Sequence, residues 1–228
     1  SPHRAVGWAR LVEVERRSAD RADPPCSHFG DCGGCALMHL RYEAQLRAKE
    51  ARVRRVLGPA LQHALGPIDA APEPLGYRET AKYVVVRRGG QVVLGSYAPG
   101  THRVADMSGC HVARAPIPAV AAAIASLCDE TGATPRYVVI RAEGHVVHVV
   151  LVAWAPDARF PDMARELRRR KAEVAGVVLS VNPSRGNVIL GSEEIPLDGD
   201  AFSPRRFRQA NPRQAGRLYA DLVAAASD

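Results

Sequence analysis

The sequence predicts an α+β fold, an antiparallel sheet with flanking helices, from three observations. Apolar runs flank Gly89-Gly90 and again flank Glu143-Gly144, the mark of two hairpins. Segments of helical periodicity are scattered among them, at 38–57, 118–129, 159–171 and 211–226. Strands and helices do not alternate strictly, which argues against a doubly wound parallel sheet.

The elements follow in order. Trp8, Leu11, Val12 and Val14 suggest a short strand, and Arg16 to Pro25 reads as a polar linker. Cys26 to Cys35 is a glycine-rich loop. Met38, Tyr42, Leu46, Val53 and Leu57 fall on one face of a helix that Gly58-Pro59 stops. Strands are expected over Ala81–Arg88, Gln91–Ala98 and His102–Met107, the last leading to Cys110. Pro118–Asp129 is an alanine-rich helix. Arg136–Arg141 and His145–Trp154 form the second hairpin, and Val146–Ala153 is apolar on both faces except at His148, as a central strand would be. A helix over Arg159–Lys171, strands at Gly176–Val181 and Asn187–Leu190, and a final helix from Asn211-Pro212 to about Ala226 complete the pattern. Pro212 suits the first helical turn and Asn211 its cap.

Composition narrows the function. The chain has 228 residues, 46% hydrophobic and 24% charged, so it can bury a core. No apolar run reaches membrane-span length, and Ser1-Pro2-His3-Arg4 does not resemble a signal peptide, so no membrane partner and a cytoplasmic location are expected. The absence of an initial Met suggests a cut, processed or fragmentary start. A net charge of +7 favours polyanion partners. Lys49, Lys82 and Lys171 are the only lysines among 31 basic residues; the rest are Arg, suited to phosphate forks and base stacking.

Five cysteines without an export signal argue against a disulfide framework. Cys26, Cys32 and Cys35 have C-x5-C-x2-C spacing, and Cys110 is the natural fourth ligand. Four thiolates suit an iron–sulfur cluster or a tetrahedral zinc, and unligated thiols are the third reading. A single C-x2-C with a distant fourth cysteine favours [4Fe–4S]. Cys128, in the alanine-rich helix, reads as a small buried hydrophobe.

The run Pro25-Cys26-Ser-His-Phe-Gly-Asp-Cys32-Gly-Gly-Cys35-Ala-Leu-Met-His-Leu resembles the iron–sulfur loop of the RumA/RlmD-type bacterial 23S rRNA (uracil-5-)-methyltransferases, within the RNA m5U methyltransferases. Gly76-Tyr77-Arg78-Glu79-Thr80-Ala81-Lys82, Leu94-Gly95-Ser96-Tyr97, the stretch from His102 to Cys110, and Phe202-Ser203-Pro204-Arg205-Arg206-Phe207-Arg208-Gln209-Ala210-Asn211-Pro212 extend the likeness over essentially the whole chain.

This resemblance implies that residues 1–22 are the end of a TRAM-like β-barrel. It makes 23–58 an iron–sulfur loop with a basic helix, 59–201 a central RNA-binding domain, and 202–228 a box and helix leading to a missing methyltransferase domain. It implies a 4Fe–4S cluster on Cys26, Cys32, Cys35 and Cys110, acting as a structural staple. In the complete enzyme it implies S-adenosyl-L-methionine, with Phe207 and Gln209 near cofactor and substrate. Arg41, Lys49, Arg52, Lys82, Arg205, Arg206 and Arg208 become candidate phosphate contacts, 23S rRNA the expected partner, and a monomer the expected state. In the chemistry so implied, a thiolate adds to uracil C6, C5 takes the methyl group, and a base removes the C5 proton before the thiolate leaves. The nucleophilic Cys, that base and a SAM motif have no counterpart in these residues, so this chain alone is expected to be inactive. A stand-alone iron–sulfur RNA-binding module and a zinc-stapled adaptor remain as alternatives.

Overall fold

The computed structural model describes residues 11–186 and 188–227. The chain divides into two compact units: residues 1–24 with 37–68, and residues 25–36 with 69–228. The division falls between the cysteine loop and the basic helix that follows it.

In the smaller unit the helix α1 spans Tyr42–Leu57 and ends where Gly58 takes a φ of 68°. Arg21 and Leu40 form an isolated antiparallel bridge. The Arg41 amide donates to the Asp20 carbonyl at 2.9 Å, and Arg47 pairs with Asp20 at 2.5 Å. The expected apolar stripe on α1 is corrected in two ways. Met38 lies before the helix, and Val53 is exposed; Ala44 is the buried residue. The short strand expected near residues 8–14 is not formed over 11–14, while Trp8 lies outside the described residues.

The larger unit is built on one seven-stranded sheet. Its strands are β1 Thr80–Arg88, β2 Gln91–Tyr97, β3 Val104–Asp106, β4 Tyr137–Glu143, β5 Val146–Ala153, β6 Val174–Val181 and β7 Glu193–Gly199. The order is β3-β2-β1-β4-β5-β6-β7. Gly89 and Gly90 both take positive φ, 58° and 83°, as the tight β1–β2 turn demands. The sheet is mixed, not wholly antiparallel. β5 and β6 are parallel, joined through the helix α3 at Phe160–Arg170, so one βαβ unit sits inside the hairpin pattern.

The strand expected at Asn187–Leu190 is corrected: 188–190 are irregular, and Asn187 lies outside the described residues. The edge strand is instead β7. Pro196 and three acidic residues mask its Ile195/Leu197 alternation in the sequence, and Pro is tolerated at an edge. A register shift between Val177 and Val178 accommodates it.

Strand alternation divides the sheet into two faces. One carries Tyr83, Val138, Ile140, Val149, Leu151 and Leu179. These pack with α2 (Pro116–Thr131) and α3 into the main core, through Ile117, Ile124, Leu127, Phe160, Met163 and Leu167. Cys128 is fully buried there, and burial pushes its thiol up to about 12. The other face has a small apolar patch of Val139, Val150 and Val152, packed by Tyr137, Ile189, Leu190 and Phe202. The last helix, α4 (Pro212–Ser227), begins where Asn211 Oδ1 accepts the Gln214 amide at 3.1 Å, the expected cap. No helix of the described residues is long and apolar enough to cross a membrane.

Candidate functional site

The cysteine loop wraps on itself through backbone bonds. The Phe29 amide donates to the Cys26 carbonyl at 3.2 Å and the Cys32 amide to the His28 carbonyl at 2.9 Å. Three contacts tie this loop to the segment after β2 and β3. Arg103 makes a bidentate pair with Asp31, one arm at 3.0 Å. Its hydrogen bond, more than its charge, holds the Asp31 carboxyl below the usual range. Ser108 Oγ lies 3.4 Å from His28 Nε2. Gly33 faces Pro99 so closely that a Cβ would come within 2.9 Å of its Cγ.

These contacts bring Cys110 to the loop. Burial raises the Cys35 thiol, and the neighbouring thiols of Cys110, Cys32 and Cys26 raise it further, while Arg78 opposes them. All four thiols are free of disulfides and half-buried. No group of three or more His, Cys, Asp or Glu side chains among the described residues is arranged to hold a metal ion. The four sulfurs therefore share a neighbourhood without forming a closed single-ion site.

The donor set still fits a sulfur-ligated centre. Burial is the larger cause of the Cys35 shift and repulsion from the neighbouring thiols adds to it; bound metal ions would relieve both. Two buried polar atoms beside the thiols lack partners: Arg78 Nε and the hydroxyl of Tyr83. Tyr83 is 1% exposed, and its hydroxyl is raised by burial and then by Cys110. Unpartnered buried donors next to four thiols are what a sulfur-rich anionic cluster would satisfy.

The box at 202–211 lies on the less covered sheet face. Phe202 packs its ring against His148, 4.5 Å between centroids. Arg141, 9% exposed, reaches from β4 to the carbonyls of Pro204 at 3.3 Å and Arg206 at 2.9 Å. Arg208 pairs with Glu143 at 2.9 Å, and Arg205 with Glu194 at 2.8 Å. Phe207 is left 79% exposed, so core packing is not its role, and Gln209 is exposed as well. Arg41, Lys49 and Arg52 are exposed on the smaller unit, and Lys82 is exposed on β1. The basic run at the end of α3 is neutralised locally: Arg168 pairs with Asp198, Arg169 with Glu166, and Arg170 with both Glu130 and Glu166.

Sequence reasoning missed Arg141, whose anchoring of the box depends on β4 facing the 204–206 segment. It also missed Arg136 and Trp154, whose Cζ-to-ring-centroid distance is 3.2 Å. The hairpin register does not give that pair away: with Tyr137 opposite Val152, the next position sets Arg136 across from Ala153, and the contact with Trp154 forms beyond the paired ends.

No family model matches the chain. An uncharacterised RNA methyltransferase of Bacillus cereus is 30% identical over 240 aligned residues, covering 93% of this chain and 52% of the relative. Another from Streptococcus agalactiae is 31% identical over 254 aligned residues, covering 99% and 56%. Among solved structures, the tRNA (uracil-54, C5)-methyltransferase of Pyrococcus abyssi, in complex with S-adenosyl-L-homocysteine, superposes with a TM-score of 0.65. It is 19% identical and matches 92% of this chain and 52% of its own. The chain is thus similar to RNA methyltransferases along nearly its whole length and shares its fold with about half of a uracil-C5 methyltransferase. It spans about half the length of the curated relatives it matches.

Proposed function

We propose that this chain is the iron–sulfur-bearing, RNA-binding portion of an S-adenosyl-L-methionine-dependent RNA uracil-C5 methyltransferase, acting on 23S rRNA. The observation that supports this reading is that Cys35 lies within electrostatic reach of Cys110, Cys32 and Cys26, in a chain similar to RNA methyltransferases.

In this reading the four thiolates hold a 4Fe–4S cluster. When bound, the cluster supplies a covalent staple between residues 26–35 and 110; methyl transfer moves no net electrons and asks no redox step of it. Arg78 and Tyr83 supply donors toward its sulfurs. Phe207 and Gln209, exposed on a box clamped by Arg141, are placed for a flipped uracil and the methyl donor. Lys82, Arg206 and the α1 residues Arg41, Lys49 and Arg52 serve phosphates. Arg205 and Arg208 join them only by exchanging a carboxylate for a phosphate.

The test is iron and acid-labile sulfide quantitation on anaerobically purified protein, beside a Cys32→Ser variant. The expected result is about four of each per chain, with iron lost and the 26–110 region opened to protease in the variant. Unchanged melting with no iron in either protein, or one zinc in place of iron, overturns the cluster reading.

A further inference from the structure

The less covered face of the sheet has a second feature, at the opposite end of β4 from the clamped box. A groove of about 490 Å3 opens there, within the roughly 300–1,000 Å3 of ligand sites. Its walls include Lys82, Tyr97, Arg136, Tyr137, Trp154 and Arg185, and no acidic residue lines it.

The aromatic groups are presented, not packed away. Trp154 is 47% exposed and Tyr97 42%. The Arg136 guanidinium lies over the Trp154 ring at 3.2 Å and reaches Tyr137 at 5.2 Å. It is fixed there by bonds to the carbonyls of Asn182 at 2.9 Å and Ser184 at 3.0 Å. Asn182, 3% exposed, in turn ties the following loop through the Val188 and Ile189 carbonyls. Tyr137 neighbours Tyr97 in the groove wall, and burial followed by that neighbour raises the Tyr97 hydroxyl. The platform is therefore pre-organised, cationic and aromatic. Stacking on aromatic and guanidinium planes, with lysine and arginine beside them for phosphates, is how unpaired nucleotides are held without sequence readout.

We propose that this groove binds a single-stranded RNA segment, its bases stacked on the Trp154–Arg136 and Tyr97–Tyr137 platform and its backbone neutralised by Lys82 and Arg185. The choice of RNA as the polyanion rests on the proposed function above. The platform holds substrate at a distance from the Phe207–Gln209 box, on the same sheet face, so one strand would span both. A paired helix cannot use it, because its bases are already stacked.

The test is fluorescence anisotropy of an end-labelled oligouridylate of about eight nucleotides titrated with the 228-residue chain, beside an end-labelled RNA duplex of the same length. Saturable binding is expected with the single strand, and Trp154→Ala should weaken it about tenfold. Trp154→Phe should recover most of that loss. Lys82→Ala should lower the salt slope by about 0.7. Trp154 is half exposed, so its variants should unfold at the wild-type midpoint. Equal affinity of wild type and Trp154→Ala, or duplex bound as tightly as the single strand, overturns the inference. The titration needs neither iron nor methyl transfer. A protein without iron would still return the Trp154 effect, and an iron-loaded protein without that effect sinks this inference alone.

Discussion

The two faces of the sheet come from the same strands and do opposite things. On one, Val138, Ile140, Val149 and Leu151 disappear under α2 and α3. On the other, their neighbours Val139, Val150 and Val152 form a smaller buried patch, flanked by a clamped loop and an aromatic groove. Alternation along a strand sends successive side chains to opposite faces, so a single segment can carry a stabilising pattern and a binding pattern without conflict. Stability is concentrated on the helix side, and the binding candidates occur where burial is incomplete. An exposed Trp154 contributes little to holding the fold, and that exposure leaves it free to take a ligand.

Substitutions on the two faces test this division. Leu151→Ala, at 1% exposure in the helix-side core, should cost about 2–5 kcal/mol in a denaturant titration. If it costs no more than Trp154→Ala, the two faces are not energetically distinct. Arg141→Ala should have an intermediate effect, about 1–3 kcal/mol, because two loop carbonyls lose a charged donor. Its sharper signature is local: the 202–208 segment should become sensitive to protease while the core strands keep their amide protection.

The smallest effect concerns the rim of the covered side. Hydrogen bonding to Arg170 and then Ser126 holds Glu130 down to about 2, and Arg169 followed by Arg170 does the same for Glu166. Both lie below the ordinary 4.5, so in acid the unfolded chain takes up their protons first. Their contribution is complete above about pH 4.5 and fades as pH falls toward 2. It is small because both groups are solvent-screened. Glu130→Gln should therefore be slightly less stable than wild type at pH 6 and indistinguishable from it near pH 2. A gap that widens in acid would contradict the assignment.

Much of this was legible in the chain. Gly89-Gly90 and Gly144 marked both hairpins, because tight turns need positive φ. The apolar run at 146–153 marked a central strand, and Asn211-Pro212 marked the start of the last helix. The cysteine spacing singled out Cys26, Cys32, Cys35 and Cys110, and the structure adds that the other three thiols act on Cys35. Other features were hidden. Edge strand β7 breaks the usual strand composition, and α1 shows helical periodicity whose Val53 finds nothing to bury against. The arginines of α3 looked like a patch in sequence and are bound to carboxylates in space.

The sequence by itself determined most of the helices and central strands and both hairpin turns, since these follow from backbone preferences and alternation over a few neighbours. Only the tertiary structure decided which groups meet: Cys110 with the loop at 26–35, Arg141 with the box, Arg136 with Trp154. Such contacts join segments many residues apart. Their formation depends on strand register and on which face each side chain is left to occupy, a property of the assembled sheet and of no single segment.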